Sequence, residues 1–211
     1  MRYAGLFVVL ALGTAFPSSA AEPFRLALKD DKVGQLPKGW VAAKTGQGPG
    51  SVWKVVEDKT VAGDKALGQT SAEGPNPLFN LCVAEKTSFT DVDIEVALKA
   101  VTGKKDQGGG PVWRYQDANN YYVARVNPLE DNYRVYKVVN GKRTQLGSAD
   151  VKAPAGQWHR LRVVHRGDHV QCYLNGKLVL DVHDNTFTGA GKVGLWTKAD
   201  AVTHFGDLRV K

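Results

Sequence analysis

Residues 157–184 read QWHRLRVVHRGDHVQCYLNGKLVLDVHD, and this stretch decides the fold class. Apolar and polar side chains alternate in three runs, at residues 158–165, 169–174 and 177–182, as they do in half-buried β-strands. Residues 166–168 form the first turn. Asn175-Gly176 forms the second, because this dipeptide tolerates the positive φ angles of a type I′ turn. Three strands cannot bury their apolar faces alone, so the stretch predicts a second sheet that covers them.

The rest of the chain repeats the pattern of short strands and turns. Residues 91–100, DVDIEVALKA, alternate strictly, and Asn140-Gly141 is a second type I′ signal. Turns recur every 6–12 residues over a chain of 211 residues, and no run is typical of a long helix. The sequence therefore predicts an all-β, antiparallel β-sandwich of the jelly-roll type, in one domain that spans residues 22–211.

Residues 1–21 are predicted to be a secretory signal peptide rather than part of the fold. Arg2 precedes an apolar run at residues 6–12, and small residues at 16–21 provide a cleavage region. We therefore expect an exported protein, periplasmic or extracellular, although an uncleaved membrane anchor is the alternative. An oxidising compartment permits a disulfide, and the sequence leaves open whether Cys82 and Cys172 are bridged or are free core residues.

Charge argues against several partners. The full chain carries a net charge of +7, and without residues 1–21, which hold one Arg and no acid, 27 basic and 21 acidic side chains leave +6. The basic residues form no run of five, which does not favour nucleic-acid binding. Beyond residue 21 no segment approaches 18 apolar residues, so we expect no stable membrane insertion after cleavage. The oligomeric state is left open.

The first candidate site is the acidic face of residues 91–100. Asp91, Asp93 and Glu95 share one face of a strand, and paired carboxylates serve glycoside hydrolysis at defined separations. The run is similar to the Glu-x-Asp-x-Glu signature of glycoside hydrolase family sixteen, but Asp91 stands where that signature has the nucleophilic Glu. These three residues are weak catalytic candidates, and the alternative is the solvated face of a half-buried strand.

The second candidate site is aromatic and basic. Aromatic rings stack on pyranose faces, while Arg and Asn side chains bond hydroxyl groups. By alternation we expect Arg114 and Arg125 on one open, sugar-binding face, with Trp113, Tyr115 and Tyr122 in the core together with Val126. The alternative is that the aromatic residues are all core or cross-strand pairs. The candidate substrate-binding residues in these strands are Arg114, Tyr121, Arg125, Asn127 and Arg134.

A third candidate lies at the end of a late strand. Gly194 and Trp196 share a face, so a ligand could lie against the indole beside the small glycine. Lys198 and Asp200 could then add polar contacts at the rim. The alternative is an edge Trp followed by a solvated loop.

The sequence predicts no cofactor and no metal site. The histidines have no neighbouring nucleophile and do not show metal-ligand spacing, so each is expected to have a structural role or to lie on the surface. Residues 117–120 and 130–132 are rich in oxygen ligands that calcium could use, but such turns are usually metal-free. The five histidines are His159, His165, His169, His183 and His204.

An ordered series of motifs carries a family resemblance. The motifs are GGPVWRY at 109–115, NYYVARV at 120–126, WHRLRV at 158–163, YLNGKLVLDV at 173–182, KVGLWT at 192–197 and FGDLRV at 205–210. The series resembles the concanavalin A-like, or laminin-G-like, jelly-roll superfamily, and within it the 3-keto-disaccharide hydrolase domains. The resemblance implies a carbohydrate ligand on the concave sheet and hydrolysis of 3-keto-disaccharides or related glycosides. The alternatives are a non-catalytic, lectin-like glycan-binding module and an envelope scaffold.

Overall fold

The computed structural model describes Met1 and residues 23–211, and every regular element in this part of the chain is a β-strand. Residues 2–21 of the predicted signal peptide lie outside the described residues. Within the described part, no helix is long and apolar enough to cross a bilayer. The fifteen strands are β1 Phe24–Arg25, β2 Trp40–Thr45, β3 Trp53–Glu57, β4 Lys65–Gln69, β5 Phe79–Phe89, β6 Val92–Thr102, β7 Gly110–Asp117, β8 Asn120–Asn127, β9 Asn132–Val139, β10 Lys142–Asp150, β11 His159–Arg166, β12 His169–Leu174, β13 Lys177–His183, β14 Gly191–Lys198 and β15 Val202–Val210.

The strands form two antiparallel sheets. The eight-stranded sheet has the order β13-β12-β11-β6-β15-β4-β3, with β1 as its eighth strand paired to β15. The seven-stranded sheet has the order β10-β9-β8-β7-β14-β5-β2. In both sheets, some neighbouring strands are not consecutive in sequence, because the chain passes repeatedly from one sheet to the other. This is the predicted jelly-roll sandwich.

The decisive stretch forms the meander β11-β12-β13, with Leu161 opposite Leu174 and Val163 opposite Cys172. Asn175 has φ +49° and closes the predicted hairpin. The alternation predicted over residues 177–182 would put Leu178 and Leu180 on the same apolar face, and this expectation is wrong. A bulge opposite Tyr173 interrupts the alternation in β13, so Leu178 points to solvent while Leu180 stays buried.

The main core lies between the sheets. Both cysteines are free and fully buried there, Cys82 from the seven-stranded sheet and Cys172 from the eight-stranded sheet. Burial raises the pKa of the Cys172 thiol to about 12, so this thiol is protonated at neutral pH. Both thiols therefore act as packing groups, which resolves the alternative left open by the sequence.

A cluster of aromatic side chains with one buried histidine forms contacts between the two sheets. Trp113 stacks on Tyr122 with ring centroids 5.6 Å apart, and the Trp113 indole Nε1 donates to Nδ1 of His165 at 2.8 Å. Burial, and then the nearby charge of Arg114, lower the pKa of His165 to about 4. His165 is therefore a neutral structural residue, as the sequence led us to expect.

Candidate functional site

The outer face of the seven-stranded sheet, which points away from the main core, carries a second apolar cluster. This cluster is unusual because a sheet face turned away from the core of a sandwich is normally polar. Its buried members are Phe79, Leu81, Val83, Val112, Tyr121, Val123, Tyr136, Val138 and Trp196.

Arg143 of β10 covers this apolar cluster. Its guanidinium carbon lies 4.3 Å from the ring centroid of Tyr136, 5.1 Å from that of Phe79 and 5.8 Å from that of Trp196. Its buried Nη1 has no hydrogen-bond partner among residues 23–211. Burial lowers the pKa of Arg143, but a guanidinium remains charged. The result is a cation held on aromatic rings with unused donor capacity.

Arg125 of β8 lies beside this cation and is fully buried. Its Nη1 donates to Asn132 at 2.7 Å, and its Nη2 donates to Glu130 at 3.0 Å and to the Tyr136 hydroxyl at 3.3 Å. Register places Arg125 opposite Arg134 on β9, so strand pairing brings the two arginines together.

Glu130 is shared by these two arginines. The Nη1 of Arg134 donates to the same oxygen, Oε2, at 2.8 Å. Burial would raise the pKa of Glu130, but the hydrogen bonds from Asn132 and Arg125 and the nearby arginine charges lower it to about 2. Glu130 is therefore ionised at neutral pH and is a weak base. It retains 41% exposure of its side chain, and Arg134 retains 31%, so this end of the site is open.

A second charged pair borders the site on the side of β14. Lys198 Nζ lies 3.0 Å from Oδ2 of buried Asp106, and Asn127 donates to the other oxygen of that carboxylate at 3.2 Å. The whole cluster, which we call the Arg143 site, holds four cationic and two anionic side chains on an aromatic floor. Its charged members are Asp106, Arg125, Glu130, Arg134, Arg143 and Lys198.

A cleft adjoins the open end of the Arg143 site. It has a volume of about 460 Å³ and is lined by Glu130, Asp131, Asp150, Val151 and Lys152. Because Glu130 belongs to both, a ligand extending from the arginines could continue into the cleft.

The expectation that Arg114 shares an open face with Arg125 is wrong. Arg114 has φ +45° at a bulge in β7, which turns its side chain toward the loops of the opposite sheet. Its guanidinium is buried and donates to the carbonyl oxygens of Thr90, Phe187 and Gly167 at 2.6–2.8 Å. Arg114 therefore joins three loops and is absent from the Arg143 site.

Because of the same bulge, the prediction that Tyr115 lies in the main core is wrong. Trp113, Tyr122 and Val126 lie in the main core as expected, but Tyr115 packs on the outer face, 6.0 Å from Tyr121 between ring centroids. Relative to β14, β7 holds one extra residue between Val112 and Tyr115, and such a bulge reverses which face the following side chains occupy.

Two predicted binding residues, Tyr121 and Trp196, form buried parts of the outer face. Tyr121 hydrogen-bonds Thr45 at 2.8 Å beneath the site. Trp196 is covered by Arg143. The prediction that Gly194 leaves room for a ligand is wrong, because a Cβ there would lie 2.5 Å from the backbone oxygen of Cys82.

Asp200 does not point to the rim as predicted. Its carboxylate accepts from the backbone N–H groups of Lys104, Lys105 and Asp106 at 2.9–3.1 Å. These bonds lower the pKa of Asp200 although burial opposes them. Asp200 thereby holds the loop that supplies Asp106 to the site.

The candidate carboxylates lie far from this face, on or beside β6 of the other sheet. Asp93 pairs with Arg162 through two bonds of 2.7 and 2.8 Å, and Glu95 pairs with Arg160 at 2.7 Å. The hydrogen bonds from Arg162 lower the pKa of Asp93. Asp91 accepts from the backbone N–H of Gly167. These contacts favour cross-strand pairing over acid–base chemistry.

The oxygen-rich turns have internal partners. Asp117 accepts from the backbone of Asn119 and from the Asn120 side chain, and Asp131 pairs with Lys152. Nothing in these contacts tests calcium binding, which stays a prediction.

Arg143 was missed by the sequence reasoning. It follows the Asn140-Gly141 turn, and its pairing with Val138 places it on the same face as Tyr136. The alternation of side chains along the strand after that turn was the sequence signal that could have placed Arg143 on this face.

Comparison with solved structures defines the class of fold as a jelly roll. The chain is similar to the carbohydrate-binding module CBM66 from Bacillus subtilis, with a TM-score of 0.65, 21% identity and coverage of 82% of this chain and 95% of that one. It is also similar to domain 4 of AbnA, a GH43 extracellular arabinanase from Geobacillus stearothermophilus, solved in complex with arabinotriose. There the TM-score is 0.58 and the identity 15%, over 90% of this chain and 92% of that one.

Sequence comparison then identifies the family. Residues 27–211 match the model of the 3-keto-alpha-glucoside-1,2-lyase-like domain, and the chain belongs to this family. The resemblance predicted from the ordered motifs is thereby confirmed. A levanase from Bacillus subtilis is 28% identical over 118 residues, which are 56% of this chain but only 17% of the levanase.

Proposed function

We propose that the Arg143 site binds a carbohydrate on the outer face of the seven-stranded sheet. The observation that carries the proposal is the Arg143 guanidinium, which lies over three aromatic rings and has donors without partners. Sugar hydroxyls can accept from these donors. Arg134 and Glu130, at the open end, offer further donors and acceptors.

Several similar proteins support this proposal. CBM66 is named as a carbohydrate-binding module, and the arabinanase domain was solved with arabinotriose. A levanase also matches part of this chain. The adjoining cleft beside Glu130 favours a ligand of more than one sugar ring.

The test is binding of ordinary and 3-keto disaccharides by isothermal titration calorimetry. Hydrogen bonds from a charged donor contribute about 1.5–3 kcal/mol, so R143A is expected to weaken binding by about 10- to 150-fold. R143K keeps the charge but loses the planar fork and is expected to bind weakly as well. D93N, on the opposite sheet, is the matched control and is expected to bind like wild type. Equal affinities for wild type, R143A and R143K would overturn the proposed site.

A second candidate function is turnover of 3-keto-glycosides at the same site, as a lyase or hydrolase. The family match over residues 27–211 favours it. A 1,2-elimination removes a proton from C2 and the leaving group from C1, and arginine charges would stabilise the anion formed next to the keto group. Glu130, with a pKa of about 2, is a weak base for the proton step. Binding is therefore the function that the geometry supports best.

Product release distinguishes these two functions. Incubation with 3-keto disaccharides, followed by chromatography of the released sugars, is expected to show turnover only if the site is catalytic. Saturable binding without product would leave the lectin-like function. We also infer export, on the strength of the leader-like composition of residues 1–21, and N-terminal sequencing of the mature protein tests it.

A further inference from the structure

A cluster of metal-ligating side chains lies on the surface of the hairpin β12–β13, on the sheet opposite the Arg143 site. His169 and His183 are directly opposite each other, and Asp181 shares the face of His183 two residues earlier. The two imidazoles stack with centroids 4.7 Å apart and planes within 7°. One ligand atom from each of the three residues lies within 4.8 Å of the others.

The neighbours of the cluster hold these side chains in place. His169 Nε2 lies 2.6 Å from Oδ1 of Asp181, while Gln171 donates to Oδ2 at 3.0 Å. The Tyr173 hydroxyl in turn donates to Gln171 at 3.1 Å. The bonds from Gln171 and Tyr173 are outer hydrogen bonds of the kind that orient the ligating groups in metal sites.

A fourth oxygen ligand is also near. The Asp168 carboxylate lies 3.3 Å from Nδ1 of His183, where it can orient the ring or join the ion. The side chains of His169, Asp181 and His183 are 39%, 46% and 64% exposed, so an ion can reach them and they can move to meet it.

We propose that His169, Asp181 and His183 form a surface site for a divalent transition-metal ion such as Zn²⁺. Imidazole nitrogen and carboxylate oxygen are ligands that Zn²⁺ prefers, at about 2.0–2.2 Å. In a tetrahedral site, ligand atoms are then about 3.3 Å apart. The two imidazoles must rotate out of their parallel stack so that both rings point a nitrogen at the ion, and the exposure of both side chains leaves room for this rotation. Three protein ligands leave a position for water or for Asp168.

The sequence could not indicate this site because its ligands do not follow a short motif. His169 and Asp181 are separated by the whole hairpin and meet through strand register. The expectation that these histidines have only a structural or surface role was based on their spacing along the sequence alone.

The test is titration of the purified, untagged, EDTA-treated protein with ZnCl₂ by calorimetry. Wild type is expected to bind one Zn²⁺ saturably, and H169Q, H183Q and D181N are each expected to lower the affinity at least about tenfold. D131N removes one exposed negative charge elsewhere and is the matched control, expected to bind like wild type. Mg²⁺ is expected not to compete, because it prefers all-oxygen sites.

Thermal melting checks that the variants remain folded, which is expected because the substituted side chains are exposed. Absence of saturable Zn²⁺ binding by wild type, or unchanged affinity in H169Q and H183Q, would overturn the site. Sugar binding by H169Q, H183Q and D181N is expected to equal that of wild type, so failure here is distinguishable from failure of the carbohydrate proposal.

Discussion

His165 should make the stability of the protein depend on pH in a defined window. Its pKa is about 4 in the folded protein against 6.5 for an unperturbed imidazole. The unfolded chain therefore binds the proton first as pH falls, so folding free energy is lost below pH 6.5 and the loss levels off below pH 4. From these two pKa values, the loss between pH 7 and pH 4.5 is about 2.5 kcal/mol.

The structural reason is the bond from the Trp113 indole to Nδ1 of His165. Protonation of Nδ1 would break that bond and place a buried charge near Arg114. H165N removes the titration, while its amide oxygen can still accept from the indole. Every carboxylate and the four other histidines are common to both proteins, so their contributions cancel in the comparison.

The assay is urea-induced unfolding of wild type and H165N at pH 7 and at pH 4.5. Wild type is expected to lose about 2.5 kcal/mol more than H165N between the two pH values. Equal losses in the two proteins would refute the assignment of a buried, neutral His165.

Three other predictions follow from buried groups. R114A should destabilise the fold by about 3 kcal/mol, because three loop carbonyls lose a buried donor, and chemical denaturation measures this. G110A should prevent native folding, since its Cβ would lie 2.0 Å from the oxygen of Ala124; a native-like circular dichroism spectrum would contradict this. Cys82 and Cys172 should resist a thiol reagent until the protein is unfolded and then both react, whereas a bridged pair would not react without reductant.

Much of the fold could be predicted because strand signals are local. Alternation and the Asn175-Gly176 turn identified the meander β11-β12-β13, and its apolar faces required a second sheet to cover them. Bulges escaped prediction, because an extra residue is accommodated by partner strands that are distant in sequence. The bulge at Arg114 reversed Tyr115, and the bulge opposite Tyr173 exposed Leu178.

The candidate site was predicted only in part, for a related reason. The alternation in β8 placed Arg125 and Asn127 on the outer face, and register then brought Arg134 beside them. Arg143 could be ranked above other surface arginines only once Phe79, Tyr136 and Trp196 were known to lie beneath it. Those rings come from three different strands, so linear sequence does not show that they meet.

The central claim is that the ligand binds at the Arg143 site. An NMR titration of the ¹⁵N-labelled protein with a disaccharide that binds tests it most directly. We predict saturable shifts of the Arg143 and Arg134 Nε–H signals and of the Trp196 indole, with Trp158 and the side chains around Asp93 unchanged. Shifts confined to the Asp93–Arg162 region of the opposite sheet, with the Arg143 and Arg134 signals constant at saturation, would contradict the account.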